Sequence, residues 1–118
     1  MPKILLYTPQ AGSNLLGPVN LLDGQAISAT ILTYADTVKS LQLNYLIERN
    51  GQLQSGRLII VNDGINSNIS ITDESTDSNI NIGVTFSAEL SGSDLLIKYT
   101  STVTGFPATM KYYEQKWE

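Results

Sequence analysis

The stretch from residue 41 to residue 61 constrains the fold most tightly. Leu41, Leu43, Tyr45 and Ile47 fall on one parity and Gln42, Asn44 and Glu48 on the other, the period-two signature of a half-buried strand. Asn50 and Gly51 follow. Both residue types accept the positive φ angles of a type I′ turn, so a two-residue hairpin joining residues 41–49 to residues 52–61 is expected. In the return arm Leu58 and Ile60 face one way, Ile59 and Val61 the other. With both faces apolar, this strand is expected to be covered on both sides, inside a sandwich or under a subunit interface.

The remaining segments repeat the period-two theme. Residues 3–7 read as a first strand, followed by a polar segment over residues 8–18 that is either a surface loop or an arm lying on a neighbour. Residues 20–22 start a short strand before the turn signal Asp23-Gly24. The β-branched content of residues 25–34 favours another strand, ended by Asp36-Thr37. Ile69 and Ile71 alternate with Ser70 and Thr72, and residues 73–78 read as a loop. Ile80, Ile82, Val84, Phe86, Ala88 and Leu90 then alternate with polar or small residues, a run no helix would show. Residues 91–94 make a short hairpin loop into residues 95–102, with Leu95, Ile97 and Tyr99 inward. After Gly105-Phe106-Pro107, Ala108, Met110 and Tyr112 define a last strand running to Trp117. The fold class expected is all-β: an antiparallel, jelly-roll-like β-sandwich of about eight strands. Residues 1–24 form an N-terminal arm or first strand and loop, and residues 25–118 the sandwich.

At 118 residues the chain offers one core, and a partner would add to its stability. Charged residues are 15% of it, against about 25% in ordinary domains, which favours a surface partly buried in an interface. Seven Lys and Arg against eleven Asp and Glu, scattered rather than clustered, argue against nucleic acid. The short apolar run at the N-terminus is too brief for a signal-peptide core or a membrane span, so no membrane insertion is expected.

The chain has no histidine and no cysteine, which removes most catalytic triads, transition-metal sites and neutral-pH proton shuttles. No catalytic residue, metal site or cofactor is expected, and Gly51, Gly56, Gly64 and Gly83 do not build a phosphate loop. Asp73, Glu74 and Asp77 could offer oxygen ligands to calcium, but the spacing matches no EF-hand and the same residues suit a solvated turn. The aromatics concentrate in the last fifth of the chain: Tyr99, Phe106, Tyr112, Tyr113 and Trp117. Phe106, Tyr113 and Trp117 are the candidate glycan contacts; Leu58, Ile59, Ile60, Val61, Tyr113 and Trp117 are the candidate interface.

Five segments taken in order carry a resemblance: residues 45–51 (YLIERNG), 56–60 (GRLII), 71–73 (ITD), 83–87 (GVTFS) and 96–101 (LIKYTS). Together they resemble a β domain that recurs in virion structural proteins of tailed bacteriophages, over roughly residues 41–117. The resemblance implies a tail-fibre, head-fibre or capsid-decoration protein, often a homotrimer. The chain starts at Met1 and has no stalk repeat or heptads, so a small virion protein is expected, assembled in the host cytoplasm without a signal peptide. It would be a non-enzymatic capsid-decoration or head-fibre subunit binding other virion proteins of the capsid or tail. The alternative is a receptor-binding tail-fibre tip that recognises a host surface glycan.

Overall fold

A computed structural model describes residues 14–76 and 82–118. Eight antiparallel strands are arranged as β1 Leu16–Leu21, β2 Ala29–Ala35, β3 Ser40–Arg49, β4 Gln52–Asn62, β5 Ser67–Thr76, β6 Val84–Ser91, β7 Asp94–Ser101 and β8 Ala108–Trp117. They form a five-stranded sheet in the order β1-β8-β3-β4-β5 and a three-stranded sheet in the order β2-β7-β6. The first two strands pair with the last two, β1 with β8 and β2 with β7, which gives the sandwich its jelly-roll character. The meander β3-β4-β5 stays within one sheet.

The central hairpin forms as its sequence dictates. Asn50 and Gly51 take φ of 52° and 78°, and β3 pairs with β4 without a slip from Ser40↔Val61 to Arg49↔Gln52. Because side chains alternate across a strand, this register commits Leu41, Leu43, Tyr45 and Ile47 to the core beside Leu58 and Ile60, all buried. From the other sheet, Val84, Phe86, Leu95, Ile97 and Tyr99 close on the same cluster. The rings of Tyr45 and Phe86 meet across the two sheets with centroids 5.3 Å apart, tilted by 59°. Opposite Tyr45 on β4 stands Gly56, and a Cβ there would lie 2.7 Å from the Tyr45 hydroxyl and about as close to the ring.

Several expected boundaries move. The sandwich begins by Leu16, ahead of residue 25: β1 pairs with β8, and Leu21 is fully buried. Pro18 interrupts the reading of this strand, but it sits at the register shift of an edge strand, where no ladder N–H is needed. Residues 73–76, expected in a loop, belong to β5, because pairing resumes past a bulge with Ser55↔Ser75 and Gln54↔Thr76. Ladder bonds there override the turn preference of Asp, Glu and Ser. Of the expected strand over residues 80–90, residues 80 and 81 lie outside the described residues; among the described ones the strand starts at Val84, since Gly83 takes φ 82°. Ile82 is buried just outside it. The expected first strand over residues 3–7, the polar segment as far as residue 13, and Asp77 lie outside the described residues.

Two glycine substitutions separate backbone strain from packing. Gly51→Val puts its Cβ where nothing lies within 4 Å, so its expected loss of about 1–2 kcal/mol is the left-handed conformation alone. Gly56→Ala meets a buried ring held by Phe86 and is expected to cost about 1–3 kcal/mol. Urea denaturation checks both, and an added Tyr45→Phe change should relieve part of the second loss and none of the first.

Candidate functional site

The outer face of the five-stranded sheet collects most of the residues singled out from the sequence. The inward parity of β3 is fixed by its apolar residues, so Ser40, Gln42, Asn44, Leu46 and Glu48 point outward. Register then sets their neighbours. Trp117, Ser40 and Val61 share one rung; Gln115, Gln42 and Ile59 the next; Tyr113, Asn44 and Arg57 the third; and Lys111, Leu46 and Ser55 the fourth. Trp117, Val61, Tyr113 and Leu46 are 49%, 53%, 44% and 43% exposed. Arg57 Nε donates to Asn44 Oδ1 at 3.2 Å on the third rung.

This placement divides the candidate interface. Leu58 and Ile60 are fully buried within the single chain, so they are core residues and offer nothing to a partner. Ile59 and Val61, on the opposite parity, share the outer face with Tyr113 and Trp117. The candidate glycan contacts divide too. Tyr113 and Trp117 lie on one face of β8, about 13 Å apart at roughly 3.3 Å per residue. Phe106 precedes β8 at its far end, and the ten residues of β8 alone span about 30 Å. Phe106 and Trp117 therefore cannot meet one small ligand.

Two grooves indent this sheet. One, of about 480 Å³, is lined by Leu15, Asn44, Leu46, Lys111 and Tyr113, together with Tyr45 and Tyr112. It is mainly apolar side chains at the place where the chain enters β1. The other, of about 400 Å³, lies at the end of the sheet where β4 turns into β5 and is lined by Lys39, Val61, Asn62, Asp63, Asn66, Ser67 and Asn68. The Asp63 carboxylate accepts hydrogen bonds from the N–H groups of Asn66 (2.6 Å) and Ile65 (2.8 Å). These bonds, the Asn66 one foremost, hold its pKa below the usual carboxylate range, with Lys39 adding a favourable charge. From the sequence, the Asn-rich segment after Val61 reads only as a turn; the signal in it is three asparagines and an aspartate within seven residues, more side-chain amide than a turn needs.

The loops at the opposite end, beside Asn50 and Gly51, are tied down by Arg49. Its guanidinium is 3% exposed. Nη2 donates to Asp23 Oδ1 at 2.6 Å and to the Thr102 carbonyl at 2.7 Å, Nη1 to the Ile82 carbonyl at 2.9 Å, and Nε to the Phe106 carbonyl at 2.9 Å. Asp23 also accepts from the N–H groups of Thr104 and Gly105. The Thr104 bond above all holds its carboxyl below its ordinary pKa, against a partial desolvation. On the flank, the Tyr34 hydroxyl donates to Glu114 Oε2 at 2.6 Å; burial first, and then that carboxylate, push the phenol far up. Lys98 pairs with Glu89. Among the described residues no group of three or more His, Cys, Asp or Glu is placed to hold a metal ion. No family model and no curated protein matches this chain.

The ordering at Asp23 gives a pH test. A carboxyl whose folded pKa is depressed adds stability above its unfolded pKa, about 3.9, and loses it as pH falls through the lower folded value. Urea midpoints are expected to fall as pH drops below about 4, and the Asp23→Asn variant to show a flatter fall over that window while being less stable at neutral pH. Arg49→Met leaves three backbone carbonyls without their donor at about 1 kcal/mol or more each, and its melting temperature should drop the most.

Proposed function

We propose that the chain is a non-enzymatic structural subunit of a bacteriophage virion, of capsid-decoration or head-fibre type, which assembles by protein-protein binding through the outer face of its five-stranded sheet. The observation that carries this is the exposed apolar set Leu15, Leu46 and Tyr113 around the 480 Å³ groove, with half-buried Ile59 and exposed Val61 and Trp117 further along the same face. Soluble monomers seldom leave a contiguous patch of that kind uncovered, and aromatic side chains are enriched where proteins meet. The five ordered segments that resemble phage virion β domains supply the assembly type and the homotrimer.

Binding rather than catalysis is supported by the residue inventory. With no histidine or cysteine, proton transfer would fall to carboxylates, and Asp23, Glu89 and Glu114 are each engaged by a named structural partner. Incubation with bacterial surface polysaccharides should release no reducing ends.

Light scattering of the purified protein tests the assembly. At micromolar concentration the expected mass is three times the 12.9 kDa of the chain. Leu46→Glu and Tyr113→Glu, both exposed in the single chain, should reduce the particle to monomers without lowering secondary structure. A monomeric wild type rejects the proposal, whereas a dimer keeps the interface and rejects the number three.

A further inference from the structure

We infer that the groove of about 400 Å³ at the β4–β5 turn is a saccharide-binding subsite, and that Trp117, outside its lining but on the same face of the sheet, is the stacking platform beside it. It does not rest on the assembly proposed above: it shares Val61 and Trp117 with the margin of that face, but none of its lining residues lines the apolar groove. The volume is toward the small end of the range of about 300–1,000 Å³ typical of small-ligand sites.

The lining chemistry selects the ligand class. Lys39 can only donate hydrogen bonds and Asp63 can only accept them, while Asn66 and Asn68 do both through their amides and Ser67 through its hydroxyl. One cation and one anion leave the groove formally neutral, so a phosphate meets Asp63 and a free cation meets Lys39. Hydroxyl groups, each donor and acceptor at once, satisfy all five. An extended peptide would draw on the backbone of a sheet edge, whereas the polar groups here are side chains on the face and in the turn.

An apolar surface beside these groups completes the match to a pyranose, whose ring carries a face of C–H bonds between its hydroxyls. Val61 lines the groove with an exposed side chain. Trp117 stands two strands away on the same rung, with Ser40 between, about 9.5 Å across at the usual strand spacing. The backbone N–H of Lys39 donates to the Trp117 carbonyl at 2.7 Å, so the main chains that carry the lysine of the groove and the half-exposed tryptophan are joined. Asn62 holds the rim: its Nδ2 donates to the carbonyls of Asp36 and Val38, and its Oδ1 accepts from the Gly64 N–H. The groove is thus set before any ligand arrives, which lowers the ordering that binding must otherwise supply.

Trp117 is the single tryptophan of the chain, so intrinsic fluorescence reports on this groove without a label. The test titrates the whole protein with glucose, galactose, N-acetylglucosamine, rhamnose and their short oligosaccharides at millimolar concentration. At least one is expected to change the emission saturably, with amide shift changes confined to Lys39, Asn66, Ser67, Asn68 and the Trp117 indole. Asn68→Ala and Lys39→Met, both at exposed positions, should each weaken that response by about tenfold, the loss of one or two hydrogen bonds, with melting temperatures unchanged. The inference is overturned if no sugar of the panel produces a saturable change, or if the response has the same midpoint in both variants.

Discussion

A buried guanidinium sets the terms for one whole end of the sandwich. A cation as secluded as Arg49 is strongly unfavourable unless its N–H groups all find acceptors. The acceptors it finds come from three different connections between the sheets: Asp23 from the link between β1 and β2, Ile82 from the approach to β6, and Thr102 and Phe106 from the link between β7 and β8. None of these segments is regular, and each would otherwise be free to vary. Their conformations follow from the need to present a carbonyl or carboxylate to one side chain at the tip of β3. At the other end of the same hairpin, buried Asn62 does the corresponding work for the link between β2 and β3 through the Asp36 and Val38 carbonyls. The hairpin therefore supplies both the spine of the core and the fastening of crossings at both ends.

That arrangement divides labour between the faces of the five-stranded sheet. On the inner face, Tyr45 lies over Gly56 and against Phe86, and close packing leaves little room for change. On the outer face, Leu46, Tyr113, Trp117 and Val61 are held at fixed spacing by the register yet contribute little to the core. The spacing of that outer lattice is set by the ladder register and not by core packing. The division of faces also explains why Leu58 and Ile60 drop out of the interface that their apolar run implies. An apolar run shows that both faces of a strand are hydrophobic, and only the pairing partner decides which face is the core.

The strands were legible because period two is a local property. The parities of β3, β6, β7 and β8 and the Asn50-Gly51 turn could be read from neighbouring residues alone, and the all-β sandwich follows from them. What escaped depends on distant pairing. The extension of β5 through residues 73–76 comes from its ladder to β4 past a bulge, and the separation of Phe106 from Trp117 from the full length of β8. Arg49 had a signal that could have found it: it stands on the same parity as Leu41, Leu43, Tyr45 and Ile47, so a period-two reading carried one step further places a charge in the core and demands acceptors for it. Its acceptors lie 26 to 57 residues away in sequence, and no local pattern marks them. The polar groove is likewise assembled from Lys39 and a turn that meets it only through the β3–β4 pairing.

The two sheets are unequal, and the inequality directs where binding is to be sought. Three strands cannot cover the inner face of five, and at the β5 margin the inward Ile71, paired with Leu58, stays 39% exposed, while the opposite flank is closed by the Tyr34–Glu114 bond between β2 and β8. The core is thus closed at both ends by Arg49 and Asn62 and along one flank by a short hydrogen bond. Every outward rung of β8, β3 and β4 can change its side chains without disturbing the inward rung that alternates with it. The sequence freedom of this molecule therefore lies on the outer face of its larger sheet.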